Sequence, residues 1–497
     1  MAQKQILPQV TPQILSAWDK KYVWHPFTQQ ALWEKEKILI VDSGKGAFIR
    51  DVSGKRYFDG VSSLWLNLFG HRHPALDRAF KRQLGKIAHS TFLGLSHRPG
   101  IELARDLIRI APRNLSRVFY SDNGATSVEI ALKMAYQYWV EKDGRGDSRG
   151  GGRSAKPRPA AKRTEFLALK NSYHGDTVGA VSVGGIDTFH GKYRPLLFKT
   201  RFAMSPYCFR CPFNKEKARH RHRLGEKINF VPKPGDFREE TGCRWECLGS
   251  VRKILQERAS HIAGAIIEPI VQGAAGMIVM PPGYLAGFAR LCRNYGVLLI
   301  ADEVATGFCR TGSLFATDQE KAEPNLMCIA KALTGGYTPL AATLTEEKIY
   351  RAFRGPVQKL RTFFHGHSYT AHPLGAAVAR ANLELIRKSK LLEKSRQKAH
   401  LMKDELEELK LLPAVGSVRQ AGLMIGVELV KNKAANAPYP AHLRMGARVC
   451  KGLLSEGIWL RPLGDVIVLM PPPIAADSDL RRMIRSLKKV ILHECQT

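Results

Sequence analysis

The sequence predicts an α/β fold, in which helices flank a mostly parallel sheet and a smaller α+β domain completes the molecule. Two observations predict it. Short apolar runs that end in a polar residue recur through the middle of the chain, and amphipathic helical patterns separate them. After about residue 375 this alternation gives way to a long amphipathic helix and short strands. We expect a large domain over 71–374 and a small domain built from 1–70 and 375–497.

The apolar runs cover 117–120, 263–267, 297–301 and 326–330, and a further strand is expected at 165–169. Helices are expected over 127–140 and 284–294. In the C-terminal part the pattern predicts a helix after Leu391 and strands at 422–430, near Arg461 and at 466–470. Because the carboxyl ends of parallel strands share one edge of a sheet, polar residues that follow these runs are expected to form the site.

The composition is that of a globular protein with a strongly basic balance. The chain has 497 residues, 44% of them hydrophobic, and a formal net charge of +33, so a disordered polycation is excluded. The charge raises the question of nucleic-acid or anionic lipid partners. The longest apolar stretches are far shorter than the roughly 20 residues of a membrane span. Nine cysteines at low density and the lack of an apolar leader favour a cytoplasmic protein.

Two segments are interpreted as insertions in the large domain, at 143–163 and 205–247. The first is rich in Gly, Pro and Arg, with seven basic and two acidic residues. A solvated loop is favoured over a nucleic-acid arm, since no aromatic residue is present for base stacking. In the second, four thiols at CxxC and CxxxC spacing could bind zinc, with His220 and His222 as further candidates; the alternative is a surface excursion with reduced thiols. The four cysteines are Cys208, Cys211, Cys243 and Cys247.

Three features point to the chemistry. Lys331 follows an apolar strand and precedes a glycine-rich turn, so it is either a surface lysine or an amine held for a Schiff base. Asp302 ends another buried run, where a carboxylate needs a partner such as a cap donor, a basic side chain or a pyridinium nitrogen. The segment 121–127 is a strand, a small-residue turn and a helix start, which can bind a phosphate or simply be capped. Together they indicate pyridoxal 5′-phosphate.

With these residues the sequence resembles the class III, fold-type I aminotransferases over nearly its whole length. Further motifs carry the resemblance: WHPFTQ at 24–29, DGVSSLW at 59–65, YHGDT at 173–177, EPIVQG at 268–273, DEVATGFCRT at 302–311, the Gly pair at 335–336 and RPLG at 461–464. With these motifs the sequence is, within that family, most similar to the members that aminate 8-amino-7-oxononanoate in biotin synthesis.

The resemblance implies how the cofactor would be bound. Lys331 would hold its aldehyde as a Schiff base and shuttle protons, Asp302 would keep the ring nitrogen protonated, and Tyr173 would stack on the ring. The residues that it implies around the phosphate are Gly124, Ala125, His367 and Ser368 of the partner subunit. The active unit would therefore be a homodimer.

The resemblance also implies a substrate pocket. Arg461 would bind the carboxylate of 8-amino-7-oxononanoate, although a surface ion pair is the alternative for this arginine. The full set of substrate-binding residues that it implies is Phe27, Leu64, Trp65, Tyr173, Arg310, Gly366 and Arg461. Phe27 and Trp65 could instead be core aromatics, and Tyr173 a packing residue.

Several positions depart from the members that use S-adenosyl-L-methionine as amino donor. Leu64 stands where many of them have tryptophan, Phe27 replaces a tyrosine, and 366–368 read Gly-His-Ser instead of Gly-Pro-Thr. Ala125 replaces a serine. These changes resemble the Bacillus-type branch that uses L-lysine, so both donors stay open. Two other functions stay open as well, an ω-amino acid or diamine:pyruvate transaminase and a basic nucleic-acid-binding protein, although Lys331 and Asp302 argue against the second.

Overall fold

The structure is a computed structural model that describes residues 10–143, 162–214 and 243–495. Most of the basic insertion at 143–163 lies outside these ranges. Residues 215–242 of the second insertion, with His220 and His222, also lie outside them. Within the described ranges, no helix combines the length and the apolar character that a membrane span requires.

The described strands, in chain order, are β1 (Val41–Lys45), β2 (Phe48–Asp51), β3 (Arg56–Asp59), β4 (Leu115–Ser121), β5 (Glu165–Leu169), β6 (Thr200–Ala203), β7 (Ile262–Ile267), β8 (Val271–Gln272), β9 (Ile278–Val279), β10 (Leu298–Asp302), β11 (Leu326–Ile329), β12 (Ala341–Glu346), β13 (Val415–Ala421), β14 (Met424–Leu429), β15 (Ile458–Trp459), β16 (Arg461–Leu463) and β17 (Val466–Leu469). The predicted strands in both parts of the chain are confirmed, with ends that differ by a few residues at most.

The described α-helices are α1 (Pro12–Tyr22), α2 (Gln30–Trp33), α3 (Ser62–Trp65), α4 (Pro74–Leu84), α5 (Arg98–Ile110), α6 (Gly124–Asp143), α7 (Val178–Ser182), α8 (Asp187–His190), α9 (Glu246–Arg258), α10 (Tyr284–Asn294), α11 (Glu347–Ala352), α12 (Pro373–Lys388), α13 (Leu391–Lys410), α14 (Met445–Leu453) and α15 (Asp477–Glu494). The helices expected over 127–140, over 284–294 and after Leu391 are confirmed as α6, α10 and α13.

A seven-stranded sheet forms the centre of the fold, in the order β4-β12-β11-β10-β7-β5-β6. Strand β12 is antiparallel to β4 and β11, and the other neighbouring strands pair in parallel. The predicted mostly parallel sheet with flanking helices is therefore confirmed. In β11, Met327 and Ile329 join the apolar core beside α5, whereas Leu326 and Cys328 join the core beside α6. Burial on both faces explains why such strands are continuous apolar runs.

The two ends of the chain pair with each other outside the central sheet. Strand β3 runs parallel to β15, in a four-stranded sheet of order β1-β2-β3-β15. A second small sheet, β13-β14-β17-β16, is antiparallel and packs against α13. Helix α12 spans the predicted domain boundary at 374 and packs on α4 and α5, beside the large sheet. The exact boundaries stay a prediction.

Three helices begin after a histidine that caps the first turn. Histidine Nδ1 atoms accept the backbone N–H of residues two or three positions later, at 3.3 Å in α4, 3.1 Å in α5 and 3.5 Å in α12. A proline lies at the first or second helical position of each. An imidazole nitrogen accepts a hydrogen bond only without its own proton, so these caps depend on neutral histidine. The three are His73, His97 and His372.

We expect the free energy of unfolding to decrease as the pH falls below about 6.5, the pKa of an unperturbed histidine. Burial lowers the pKa of His73, His97 and His372. Between their folded-state values and about 6.5 the unfolded chain then binds more protons, so the stabilisation is complete above that window and is lost as the pH falls through it. The measurement is the thermal unfolding midpoint against pH.

A variant with all three histidines replaced by asparagine is the matched control, because asparagine caps helices without titrating in this range. Its unfolding midpoint should depend less on pH than that of the wild-type protein between about pH 7 and about pH 5.5. Equal pH dependence of the two proteins would contradict the role of the caps.

Candidate active site

The carboxyl edge of the central sheet brings the main predicted residues together. Strand β10 ends at Asp302, which pairs with Cys328 of β11, three residues before Lys331. Helix α6 begins near the end of β4. A cavity of about 730 Å³ lies at this edge, within the range of small-molecule sites. The predicted residues that line it are Trp65, Gly124, Ala125, Tyr173, Asp302 and Lys331.

Asp302 is a buried carboxylate with two protein hydrogen bonds. Its side chain is held by His174, whose Nδ1 lies 2.6 Å from Oδ2, and by the backbone N–H of Val304, 3.1 Å from Oδ1. The residue is only 4% exposed. A buried acid requires such partners, and it stabilises a positive charge placed in the same cavity. No role was predicted for His174, although it stands next to Tyr173 in the quoted motif.

Lys331 begins the 3₁₀-helix Lys331–Thr334 in a left-handed conformation, with φ of +39°. Burial lowers the pKa of its amine, although the charges of Asp302 and Glu268 oppose this shift. The residue as a whole is only partly buried, while its Nζ lies 4.8 Å from the centre of the Trp65 ring. A lowered pKa increases the unprotonated fraction near neutral pH, which is the nucleophilic form.

Glu268 is a second buried acid of the cavity, and it follows strand β7 as Asp302 ends β10. Its two oxygens accept the backbone N–H groups of Tyr173 and Gly273, both at 2.9 Å. Burial raises the pKa of Glu268 to about 7, with the charge of Asp302 acting in the same direction. The sequence carries a signal for this residue, a polar position after an apolar run, but the sequence analysis assigns it no role.

Neighbouring residues pack closely against the backbone at the start of α6. A Cβ on Gly124 would lie 2.6 Å from a methyl of Val304, and one on Gly175 would lie 2.4 Å from Cβ of Ala125. Gly175 also has φ of +124°, which favours glycine. The amide of Thr126 donates to Asn123 Oδ1 at 3.1 Å, so a local cap coexists with the small residues of the cavity wall. First-turn amides at a helix start bind phosphate.

Tyr173 links the wall of the cavity to two acids. Its N–H donates to Glu268, and its hydroxyl donates to Asp176 Oδ2 at 2.7 Å. Burial raises the pKa of Tyr173 above its ordinary value, so the ring is a neutral phenol. Phe27 touches this ring edge-on, with centroids 6.5 Å apart, and is 56% exposed. Phe27 is therefore a neighbour of the cavity wall and no core aromatic.

The family model for aminotransferase class III matches residues 30–491. The chain belongs to the class III aminotransferases. Relatives named adenosylmethionine-8-amino-7-oxononanoate aminotransferase include that of Anoxybacillus flavithermus, 46% identical over 95% of both chains. That of Geobacter sulfurreducens is 42% identical over 98% of this chain and 99% of its own.

Solved structures agree with this assignment. The crystal structure of the enzyme of that name from Methanocaldococcus jannaschii has a TM-score of 0.85 at 40% identity, and the match covers 97% of this chain and 99% of the other. The omega transaminase of Pseudomonas jessenii in complex with PMP has a TM-score of 0.84 at 28% identity, with 97% and 98% covered. The predicted family, fold type and enzyme class are confirmed, and so is pyridoxal phosphate as the cofactor.

The cavity of this class III aminotransferase fits its cofactor. Asp302 is a buried acid that can face the ring nitrogen, and Lys331 supplies an amine in the same cavity. The backbone at Gly124 and Gly175 leaves no room for side chains, as expected where main-chain amides approach a phosphate. The cavity therefore contains the acid Asp302, the amine of Lys331 and backbone amides that can bind the phosphate.

Other predicted residues of the aminotransferase lie outside the cavity lining. Leu64 is 39% exposed, directly before the buried Trp65. The His367 ring lies 4.0 Å from a carboxylate oxygen of Asp122, which lines the cavity, so the 366–368 segment is close to the start of α6. Arg461 is in β16, paired with β17. The roles of Gly366, His367, Ser368 and Arg461 stay predictions.

Arg310 lies in the protein interior, outside the described lining of the cavity, and its role in substrate binding stays a prediction. It is 0% exposed, and burial lowers its pKa to about 10. Its guanidinium donates to the carbonyl oxygens of Pro471 and Asn67 at 3.1 and 3.3 Å, and to Ser62 Oγ at 3.4 Å. These contacts fix the main chain behind the cavity, so Arg310 has a structural function here.

The four cysteines of the second insertion form no disulfide bond with one another. Burial raises the pKa of Cys208 and Cys247 to about 12, with neighbouring cysteines acting in the same direction, so both are protonated near neutral pH. Among the described side chains, no group of three or more His, Cys, Asp and Glu residues could hold a metal ion. A zinc site and reduced thiols both stay predictions for this segment.

Proposed function

We propose that the protein transfers an amino group to 8-amino-7-oxononanoate, forming 7,8-diaminononanoate in biotin synthesis. The observation that carries this proposal is the identity of 42–46% over nearly the whole chain to several relatives named for that substrate. Omega transaminases with a similar fold are only 27–28% identical. A cytoplasmic location, expected from the sequence, belongs to the same proposal.

Each residue of the cavity would have a separate role in the reaction. Bound pyridoxal phosphate supplies an aldehyde that takes up the amino group and a ring that withdraws electrons from the neighbouring carbon. Asp302 would hold the proton of the ring nitrogen, because a buried carboxylate favours a cation beside it. Lys331 would take the proton from the carbon that bears the amine and return it, since its lowered pKa makes it a base. Amides at Gly124 and Ala125 would bind the phosphate.

The proposed active unit is a homodimer, with Ser368 of the partner subunit at the phosphate. Large apolar side chains on two neighbouring segments support it, since Leu93 and Leu95 are 59% and 63% exposed and Phe364 is 73% exposed. The segments touch, because a Cβ on Gly366 would lie 3.3 Å from Leu93. Clusters of this kind mark protein interfaces. Sedimentation should give twice the chain mass of 55.5 kDa, and a stable monomer would contradict the proposal.

The donor is tested in the first half of the reaction. Cofactor-loaded protein is mixed separately with S-adenosyl-L-methionine, L-lysine and L-alanine, and the change of the visible cofactor band to that of pyridoxamine phosphate is followed. We expect one of the first two to convert the band, because the cavity wall carries the acids Asp122 and Asp176, which attract a second positive charge. Conversion by neither would contradict the proposed reaction, and rapid conversion by alanine would favour a pyruvate-linked transaminase.

A further inference from the structure

A left-handed turn next to the active lysine is the most unusual backbone feature of the cavity wall. In α3 the residues Ser62, Ser63, Leu64 and Trp65 have φ of +50°, +41°, +66° and +78°. None is glycine, and for each the side chain crowds the following carbonyl in this conformation. Four such residues in succession persist only where the surroundings hold them.

Asp59 holds this turn from one side. Its carboxylate accepts the backbone N–H of Ser63 at 2.9 and 2.7 Å from the two oxygens, and the Ser63 hydroxyl at 2.8 Å. His71 Nε2 lies 3.0 Å from the same carboxylate. Asp59 is 1% exposed and ends strand β3, so its position is set by the sheet. Charged acceptors make the stronger hydrogen bonds, particularly where water is excluded.

The other side of the turn is held by the chain behind it. Ser62 Oγ donates to the carbonyl of Met470 at 2.7 Å, and Arg310 donates to Ser62 Oγ. The charge of Asp59 also acts on Arg310, although the two side chains form no direct hydrogen bond in the described residues. After the turn, Asn67 lies directly against Gly336: a Cβ atom on Gly336 would be only 1.8 Å from Oδ1 of Asn67. The residue that follows the turn by two positions therefore packs directly against the loop after Lys331.

The turn places Trp65 against the amine of Lys331. The indole is 6% exposed, and Lys331 Nζ lies 4.8 Å from the ring centre. On another side the ring approaches Gly273, where a Cβ would lie 3.4 Å away. An indole in this position removes water from the amine, and it also attracts an ammonium group. Burial, to which the indole contributes by its contact, is the first cause of the lowered pKa of Lys331.

We propose that Asp59 is a positioning residue for Lys331: by fixing the left-handed turn, it keeps the Trp65 ring over the amine and so keeps the amine dehydrated and reactive. The inference rests on the proposed role of Lys331 and extends it to a residue that touches neither substrate nor cofactor in the account above. Asp59 acts through Trp65, so its removal should have an effect only while the indole is present.

The test is the rate at which acetic anhydride modifies Lys331 in the full chain after removal of the cofactor, followed by mass spectrometry of the peptide. In Asp59→Asn we expect the rate near pH 8 to be about tenfold lower, because an amine that water reaches is protonated to a larger extent and only the unprotonated amine reacts. Trp65→Ala should show a similar or larger decrease. The double variant should behave like Trp65→Ala, which a structural effect independent of the indole would not produce.

Asp51→Asn is the matched control. The Asp51 carboxylate likewise accepts the N–H and hydroxyl of a serine, Ser53, at 2.9 and 2.7 Å, but in the turn between β2 and β3. Its modification rate at Lys331 should equal that of the wild-type protein. Circular dichroism and the unfolding midpoint show whether each variant folds.

Two results would overturn the proposal: an unchanged rate in folded Asp59→Asn, or a further decrease when Asp59→Asn is added to Trp65→Ala. If Asp59→Asn does not fold, the Ser63→Ala variant tests the proposal instead. It removes only the hydrogen bond from the Ser63 hydroxyl to Asp59, so the rate of Lys331 modification should decrease about twofold to threefold. An unchanged rate in Ser63→Ala would then overturn it. Failure of the proposed function is seen separately, as a cofactor band that survives replacement of Lys331.

Discussion

Replacing Lys331 with alanine is expected to lower the rate of transamination by about 10⁴-fold or more and to abolish covalent binding of pyridoxal phosphate. The variant loses the amine that binds the cofactor aldehyde and the base that moves the proton. It should still fold, because the side chain makes no buried hydrogen bond among the described residues. The measurements are kcat/KM, the visible cofactor band and borohydride trapping of the protein–cofactor bond.

Lys321→Ala is the control for this variant. Lys321 has a left-handed backbone like Lys331, with φ of +51° against +39°, but it is exposed and outside the cavity lining. Its replacement should leave both the rate and the trapping unchanged. If Lys331→Ala kept the trapped bond, a different lysine would hold the cofactor.

Replacing Asp302 with asparagine should lower kcat by about 10²-fold to 10³-fold. The amide keeps the shape of the side chain, but it has no charge to stabilise a protonated ring nitrogen. Loss of one charge from a buried pair costs about 3–5 kcal/mol. A barrier raised by about 3 kcal/mol, the lower end of this range, lowers the rate by roughly 10²-fold. The measurement is the rate of the first half-reaction with the preferred donor, together with the affinity for the cofactor.

Asp318→Asn provides the comparison, since Asp318 is exposed and outside the described cavity lining, and its carboxylate accepts the N–H of Phe315 at 3.1 Å. Its half-reaction rate should stay within about twofold of wild type. A similar loss of rate in both variants, or none in either, would remove Asp302 from the proposed role.

The middle of the central sheet was largely predictable because its inner strands are buried on both faces. A strand such as β7 is then a continuous apolar run that ends at a polar residue, and both features are local. The antiparallel direction of β12 was not predictable, since it is set by pairing with β4 and β11 at distant positions in the chain. The parallel pairing of β3 with β15 likewise joins residues about 400 positions apart.

The site was predictable only as far as its residues carried local signals. Lys331 and Asp302 each follow or end an apolar run, and their place in the cavity is as expected. The contact of His174 with Asp302 joins residues 128 positions apart, so nothing in the motif indicated it. The interior position of Arg310 was likewise not predictable, since its partner Pro471 lies 161 positions away in the chain.

The proposed reaction is tested most directly by its product. Cofactor-loaded protein is incubated with 8-amino-7-oxononanoate and, separately, with pyruvate, each with S-adenosyl-L-methionine or L-lysine as donor, and the products are measured by mass spectrometry. We predict that 7,8-diaminononanoate forms with at least one donor and that pyruvate is aminated much more slowly. Rapid formation of alanine without any 7,8-diaminononanoate would contradict the proposed function.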